Sequence, residues 1–287
     1  MIQKKEFILT NKTSQRPFAF DLTFSDSLST QPLLIFLHGF KGFKDWGDFS
    51  LLSDLWAQAG FFTLKINFSH NGTTPETPLD FTDLEAFRKN TFAKEIEDIK
   101  TVLDFILEKK AYQNYINPDQ IALVGHSRGG STALLYALQD ERISKVVTWA
   151  AVGDLVGRYF NSAAPDFEAW QKEGVKFVLN GRTGQKLPVG FDLYQDYLYQ
   201  KEKGNINYDL KKSIADLKIP ILLLHGDTDD SVPLTEAQNL QLAQPAAELC
   251  IITQASHTFG MQHPSENESL PAAALLAAQK TAIFLKK

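Results

Sequence analysis

Sulfur is scarce in this chain, and no apolar run reaches membrane length. Its 287 residues hold one cysteine and two methionines. A lone cysteine, Cys250, excludes any internal disulfide. It falls in Glu248-Leu249-Cys250-Ile251-Ile252, where a buried strand thiol is the expected state. A disulfide-free composition suits a reducing compartment. No stretch has the ~18 apolar residues of a membrane span, and Met1 to Phe7 lack the apolar core of a signal peptide. The expectation is a soluble, cytoplasmic protein. Lys and Arg occur only as scattered residues and pairs such as Lys211-Lys212. Acids outnumber bases, 34 to 29, for a net charge of −5. That balance argues against nucleic acid or an anionic membrane as partner. No His/Cys/carboxylate grouping has metal-ligand spacing, and no glycine-rich loop has the form of a phosphate cradle. Neither metal nor cofactor is expected. Internal repeats and low-complexity tracts are absent too.

What is present is ample for a large core, with 44% apolar residues. Phe7-Ile8-Leu9 and Phe18 to Phe24 read as two opening strands. Leu33 to Leu37 is a continuous apolar run, the mark of a strand buried on both faces. Phe49 to Ala59 reads as a helix and Phe61 to Phe68 as a strand. A polar loop runs from Ser69 to about Asp80, and a long helix from about Thr91 to Lys110. That helix carries Phe92, Ile96, Ile99, Val102, Leu103 and Ile106 on one face. Strands follow at 121–124 and 145–150. After an irregular segment, strands at 219–224 and 249–252 alternate with helices after Pro233 and from about Pro271. This alternation predicts an α/β fold with a mostly parallel, eight-stranded sheet covered by helices on both faces. Ligands of such sheets bind beyond the carboxyl ends of the strands.

Chemistry-bearing residues fall at those ends. Gly125-His126-Ser127-Arg128-Gly129-Gly130 sits between a strand and a helix-forming run. That context makes Ser127 the apex of a sharp strand–turn–helix elbow with its hydroxyl exposed. A serine hydroxyl is a weak nucleophile and needs a base, an orienting acid and an oxyanion hole. The acidic loop His225-Gly226-Asp227-Thr228-Asp229-Asp230-Ser231-Val232-Pro233 offers three carboxylates. Asp227 suits a loop brace and Asp230 a solvent-facing position, with Asp229 the favoured acid. Of six histidines, His257 follows the last strand and completes the order Ser, Asp, His that this elbow type uses. His263, in a polar loop, is the alternative. His126 adjoins the serine and must point elsewhere, while His38 and His225 suit bracing roles. Oxyanion donors are expected from the N–H of Arg128, at the helix start, and of Phe40, in His38-Gly39-Phe40-Lys41-Gly42.

Together these parts resemble the α/β-hydrolase superfamily over nearly the whole chain. The His-Gly-Phe turn, the Gly-His-Ser-x-Gly-Gly elbow and the hairpin-bearing insert resemble bacterial feruloyl (cinnamoyl) esterases and dienelactone-hydrolase-like proteins. Asp229 stands four residues before Pro233, in the Asp-x-x-Val-Pro spacing where such hydrolases carry their acid. The resemblance implies cofactor-free hydrolysis of a small-molecule carboxylic ester. Lys41 and Arg128 depart from the group's pattern, since a small polar residue and Gln or Met are the usual occupants. Both are candidates for bordering the substrate.

Residues 1–150 and 214–287 read as the hydrolase core, and 151–213 as a lid insertion with a β-hairpin around Asn180 to Gly184. The insert holds ten aromatics, five of them among the chain's eight tyrosines. Tyr159, Phe160, Trp170 and Tyr194 are the candidate pocket walls, suited to small or medium acyl groups, aromatic ones among them. Two rivals remain. An aminopeptidase or acyl-peptide hydrolase would need an acidic anchor, for which Glu168 or Glu173 is available. A non-catalytic binding module on this fold would be expected to have lost a member of the Ser/Asp/His set, and all three are present.

Overall fold

The computed structural model describes residues 1–287. Ten strands and ten α-helices alternate along the chain. Eight strands form one sheet in the order β1-β2-β4-β3-β5-β6-β9-β10. They are β1 (Ile2–Thr10), β2 (Pro17–Ser25), β3 (Gln31–Leu37), β4 (Phe62–Ile66), β5 (Ile116–His126), β6 (Ile143–Trp149), β9 (Ile221–Gly226) and β10 (Glu248–Ile252). Only β2 runs antiparallel to its neighbours; from β4 to β10 every pairing is parallel.

The continuous apolar runs are explained by burial on both sides. In β3, Leu33, Ile35 and Leu37 enter the core on one face, whereas Leu34 and Phe36 enter the core on the other. The first core is closed by α3 (Phe92–Glu108) and α4 (Arg128–Ala137), the second by α1 (Phe49–Gln58) and α10 (Ala272–Lys286). Alanines on α10 let it approach two buried indoles. Trp56 Nε1 donates to the Ala278 carbonyl at 3.1 Å and Trp149 Nε1 to Thr281 Oγ1 at 3.0 Å.

The segment expected to be irregular is more regular than its sequence suggests. Between β6 and β9 lie α5 (Leu155–Tyr159), α6 (Phe167–Glu173), the hairpin β7–β8 (Val175–Leu179, Lys186–Gly190), α7 (Asp192–Lys203) and α8 (Leu210–Ser213). Helices this short carry no readable periodicity, and α7 buries only Leu193 and Tyr197. A further short helix, α2 (Leu84–Arg88), falls where the sequence offered no assignment. It packs against β8 and so ties the hairpin to the segment that follows β4.

Several titratable groups are buried in this frame. Burial holds His38 at a pKa of about 4 and His70 and His126 at about 3, well under the usual 6.5. Asp98, on α3, goes the other way. Burial lifts it to about 7 despite hydrogen bonds from Asn11 and the Ser69 N–H. These shifts set the acid stability profile. Between about pH 4 and 6.5 the unfolded chain binds protons at the three histidines that the native state does not. Asp98 opposes this, being protonated in the native state and ionised in the unfolded one. Three groups against one, with the lowered His263 and the raised Asp21 acting in opposite senses, leave a net uptake of about two protons, so stability should fall as pH drops, by about 3 kcal/mol per unit. Urea unfolding between pH 4.5 and 6.5 measures that slope, and Asp98→Asn should steepen it towards three protons. A flat profile would contradict the assignment of these groups.

Candidate active site

The carboxyl ends of β3, β5, β9 and β10 deliver four short segments to one cleft. At the end of β5 the chain turns sharply through Ser127, whose φ of 54° and ψ of −122° lie in a region that L-residues avoid. The Ser127 N–H is held by the Trp149 carbonyl at 2.8 Å, and α4 starts at the next residue. Glycine is required on both sides of this turn. A Cβ at Gly125 would strike the carbonyl of Gly129, and one at Gly129 would strike the carbonyl of Leu37.

The loop after β9 turns Asp229 inward, where its side chain has no exposed surface. Its Oδ1 accepts the backbone N–H groups of Ser231 and Val232 at 2.9 and 2.8 Å. Its Oδ2 accepts His257 Nδ1–H at 2.8 Å and lies 3.3 Å from His225 Nε2. Burial opposes ionisation of Asp229, but the bonds from His225, His257 and Val232 outweigh it and hold the carboxyl far below the usual range. Asp227 braces the loop by accepting the Gln254 N–H, while Asp230 is exposed.

His257 and Ser127 line the same cleft without a direct hydrogen bond between them, a spacing common before substrate tightens a site. Phe40 and Arg128 border the cleft as well. Neither their N–H groups nor that of Lys41 donates to any backbone carbonyl. His263, the alternative base, is engaged elsewhere. Its Nδ1 accepts the Gly47 N–H at 2.9 Å.

The cleft has two lobes that share Phe40, Lys41, Ser127 and His257. One of about 500 Å³ adds the hairpin tip, Asn180 to Arg182, and His263. The other, about 440 Å³, adds Tyr159, Trp170, Val178, Val189 and Leu193 from the insert. Lys41, Tyr159 and Trp170 therefore stand on the cleft. Phe160 and Tyr194 do not, a correction to the pocket read from the sequence. Phe160 stacks on Tyr197 at 4.2 Å and belongs to the core. Tyr194 packs among Phe167, Phe191 and Trp170. Aromatic content alone cannot separate a wall from the packing behind it.

The Arg128 guanidinium likewise points into the protein and not across the cleft. Its Nε donates to Glu95 at 2.7 Å, with both side chains almost wholly buried. The guanidinium lies 3.9 Å over the Phe92 ring. Glu95 also accepts from Thr132 Oγ1 and Asn90 Nδ2. Glu95 was missed in the sequence, although its place between Phe92 and Ile99 on the apolar face of α3 was a visible signal. His126 was missed too: its Nε2–H donates to the His257 carbonyl at 2.9 Å and its ring lies 4.8 Å from the His257 ring. No cluster of metal-ligating side chains is present, and no helix is long and apolar enough to cross a membrane.

The BD-FAE family model matches residues 81–243, more than half of the chain. The chain belongs to the BD-FAE family. Its α/β-hydrolase fold is shared with Est1E from Butyrivibrio proteoclasticus, at a TM-score of 0.65 and 16% identity over 98% of this chain and 99% of that one. Est1E has also been solved with ferulic acid bound. Pimeloyl-[acyl-carrier protein] methyl ester esterase of Vibrio vulnificus (strain YJ016) is 45% identical over 56 residues, 20% of this chain and 22% of its own. The uncharacterized peptidase YuxL of Bacillus subtilis (strain 168) is 22% identical over 221 residues, 75% of this chain and 28% of its own. This BD-FAE chain thus aligns with about a quarter of the length of each of these two relatives.

The buried pair behind the elbow generates an expectation for stability. Glu95→Ala strands the Arg128 charge in the core and should cost ~3–5 kcal/mol. A well-packed double variant, Glu95→Leu with Arg128→Met, should recover most of that loss. Chemical denaturation of the three proteins measures both. An effect of Glu95→Ala under 1 kcal/mol would show that the pair is solvated.

Proposed function

We propose that this chain is a serine hydrolase of carboxylic esters. The observation that carries the reading is the short contact of His257 Nδ1 with the fully buried Asp229, beside a serine held at positive φ in the same cleft. In this reading Asp229 fixes the tautomer and orientation of His257. The free Nε2 takes the Ser127 proton as Oγ attacks the ester carbonyl. The N–H groups of Phe40 and Arg128 stabilise the oxyanion, each contributing ~3 kcal/mol. Collapse expels the alcohol with the proton from His257 and leaves an acyl-enzyme. Water, activated by the same histidine, releases the acid and restores Ser127.

The comparisons support this direction. One relative is an esterase by name, and Est1E binds ferulic acid, so small to medium acyl groups, aromatic ones included, are the proposed substrates. The peptidase alternative is less well supported. A free substrate amine needs a carboxylate, and neither lobe is lined by Asp or Glu. Glu168 and Glu173 are exposed and line neither lobe. We further propose that residues 151–213 act as a lid that sets acyl preference, because they supply most of the apolar wall of the 440 Å³ lobe.

Fluorophosphonate should label Ser127, and Ser127→Ala should lower kcat on an aryl ester by several orders of magnitude. Retention of a tenth of wild-type turnover would rule the serine out. Asp229→Asn should cost roughly 10³–10⁴ in kcat at pH 7, far more than Asp227→Asn or Asp230→Asn.

The lid has its own test. Shortening the turn between β7 and β8 should change the relative kcat/KM among acetyl, octanoyl and cinnamoyl esters. Unchanged ratios in a folded variant would remove the lid from specificity.

A further inference from the structure

The 500 Å³ lobe beside Ser127 is rich in unused donors and bare of carboxylates. Lys41 follows the His-Gly-Phe turn, and its Nζ has one protein partner, the Leu179 carbonyl at 3.2 Å. Arg182, at the hairpin tip, forms no ion pair. It lies 5.6 Å over the Phe43 ring, with Asp80 acting on it only from a distance. Partial burial lowers the Lys41 pKa, and repulsion from the nearby Arg182 adds to it. Asn180, 5% exposed, accepts the Arg182 N–H through Oδ1, yet its Nδ2 has no partner at all. His263 accepts the Gly47 N–H through Nδ1, which leaves its ring proton on Nε2. Lys41, Asn180, Arg182 and His263 all line the lobe that holds Ser127 and His257.

A chain with net charge −5 has therefore placed two unpaired cations and an orphaned buried amide donor around one cavity. Unpaired buried donors are costly unless a ligand supplies the acceptor. We propose that the ester cleaved here carries a second, anionic group, a carboxylate or a phosphate, bound between Lys41, Arg182 and Asn180. This deepens the ester-hydrolase reading and rests on it. The site adds no chemical step. It binds a part of the substrate remote from the scissile bond, and its cationic field draws the anion into the cleft.

The test uses matched pairs of esters that differ by one charge. Mono-4-nitrophenyl adipate is compared with 4-nitrophenyl hexanoate, placing the anion on the acyl side. The butyrate ester of 4-hydroxybenzoate is compared with that of 4-hydroxybenzamide, placing it on the alcohol side. The butyrate ester of 4-hydroxyphenyl phosphate separates phosphate from carboxylate. At low salt, at least one charged ester should exceed its neutral partner in kcat/KM by roughly two- to fivefold, as expected for a partly exposed ion pair. That ratio should fall as salt is raised. Arg182→Gln and Asn180→Asp should each reduce it, and Arg182→Glu should bring it below one. Circular dichroism checks that each variant is folded. Ratios at or below one in the wild type, or a preference that survives Arg182→Glu, would overturn the anion site. Fluorophosphonate labelling of Ser127 and turnover of the neutral esters report separately on the hydrolase reading. If both are present while the charge ratio is flat, only the anion site falls. If neither is seen, the hydrolase reading itself fails.

Discussion

Three donors converge on one carboxylate whose side chain has no exposed surface. Asp229 accepts two N–H groups of its own loop and the His257 Nδ1–H, with the His225 ring packed 3.3 Å away. An isolated carboxylate buried this way would protonate or pull the loop outward. Here the donors outweigh the burial, and they can do so only when the turns after β9 and β10 are both in place. Satisfying one charge thus orders two loops. His225 donates its Nε2–H to the Val232 carbonyl, which leaves Nδ1 bare and without a partner. That exposes one cost of packing a second imidazole against the same carboxylate. His126 closes the arrangement from the elbow side by holding the His257 carbonyl. The ring of His257 is therefore fixed through its nitrogen and its backbone at once.

The parallel sheet makes that convergence possible. Its strands end on one edge, so segments distant in sequence arrive together without long excursions. The elbow adds a local demand. A serine at positive φ is held where the β5 strand, the α4 helix and the β3 turn come too close for side chains, which is why Gly125 and Gly129 bracket it. The strain at Ser127 is offset by the surrounding packing, which includes the fully buried residues of α4.

Most of this arrangement is legible in the sequence. Continuous apolar runs marked the central strands, because burial on both faces leaves no polar alternation. The elbow, the acidic loop and His257 were legible because each sits where a strand pattern stops, and their order along the chain selected among six histidines and three acids. The hairpin at 175–190 was legible from its Asn-Gly and Thr-Gly turn. The remainder depended on direction, which sequence does not encode locally. Arg128 was readable as the residue after the serine, yet only packing reveals that its guanidinium runs back to Glu95. Phe160 and Tyr194 have the composition of a pocket wall but face other aromatics. The short helices of the insert were lost because a helix of four to seven residues completes too few turns to display a period.

Charge separates the two parts of the molecule more sharply than topology does. The core supplies the strained serine, the buried acid and the histidine, all on loops anchored in the sheet. Of the cations around the cleft, Arg158, Lys176 and Arg182 come from the insert, Arg128 is neutralised by Glu95, and Lys41 alone is a free core contribution. Lys176 is also paired, to Asp166. The unpaired charge at the cleft is thus largely a property of the insert, and it runs opposite in sign to the chain as a whole. A hairpin anchored by β8 against α2 can change its tip residues without disturbing Asp229 or the elbow. On the proposed lid reading, selectivity and reactivity are built from separate residues: one constellation stays at the sheet edge, and the tip between β7 and β8 decides which esters reach it.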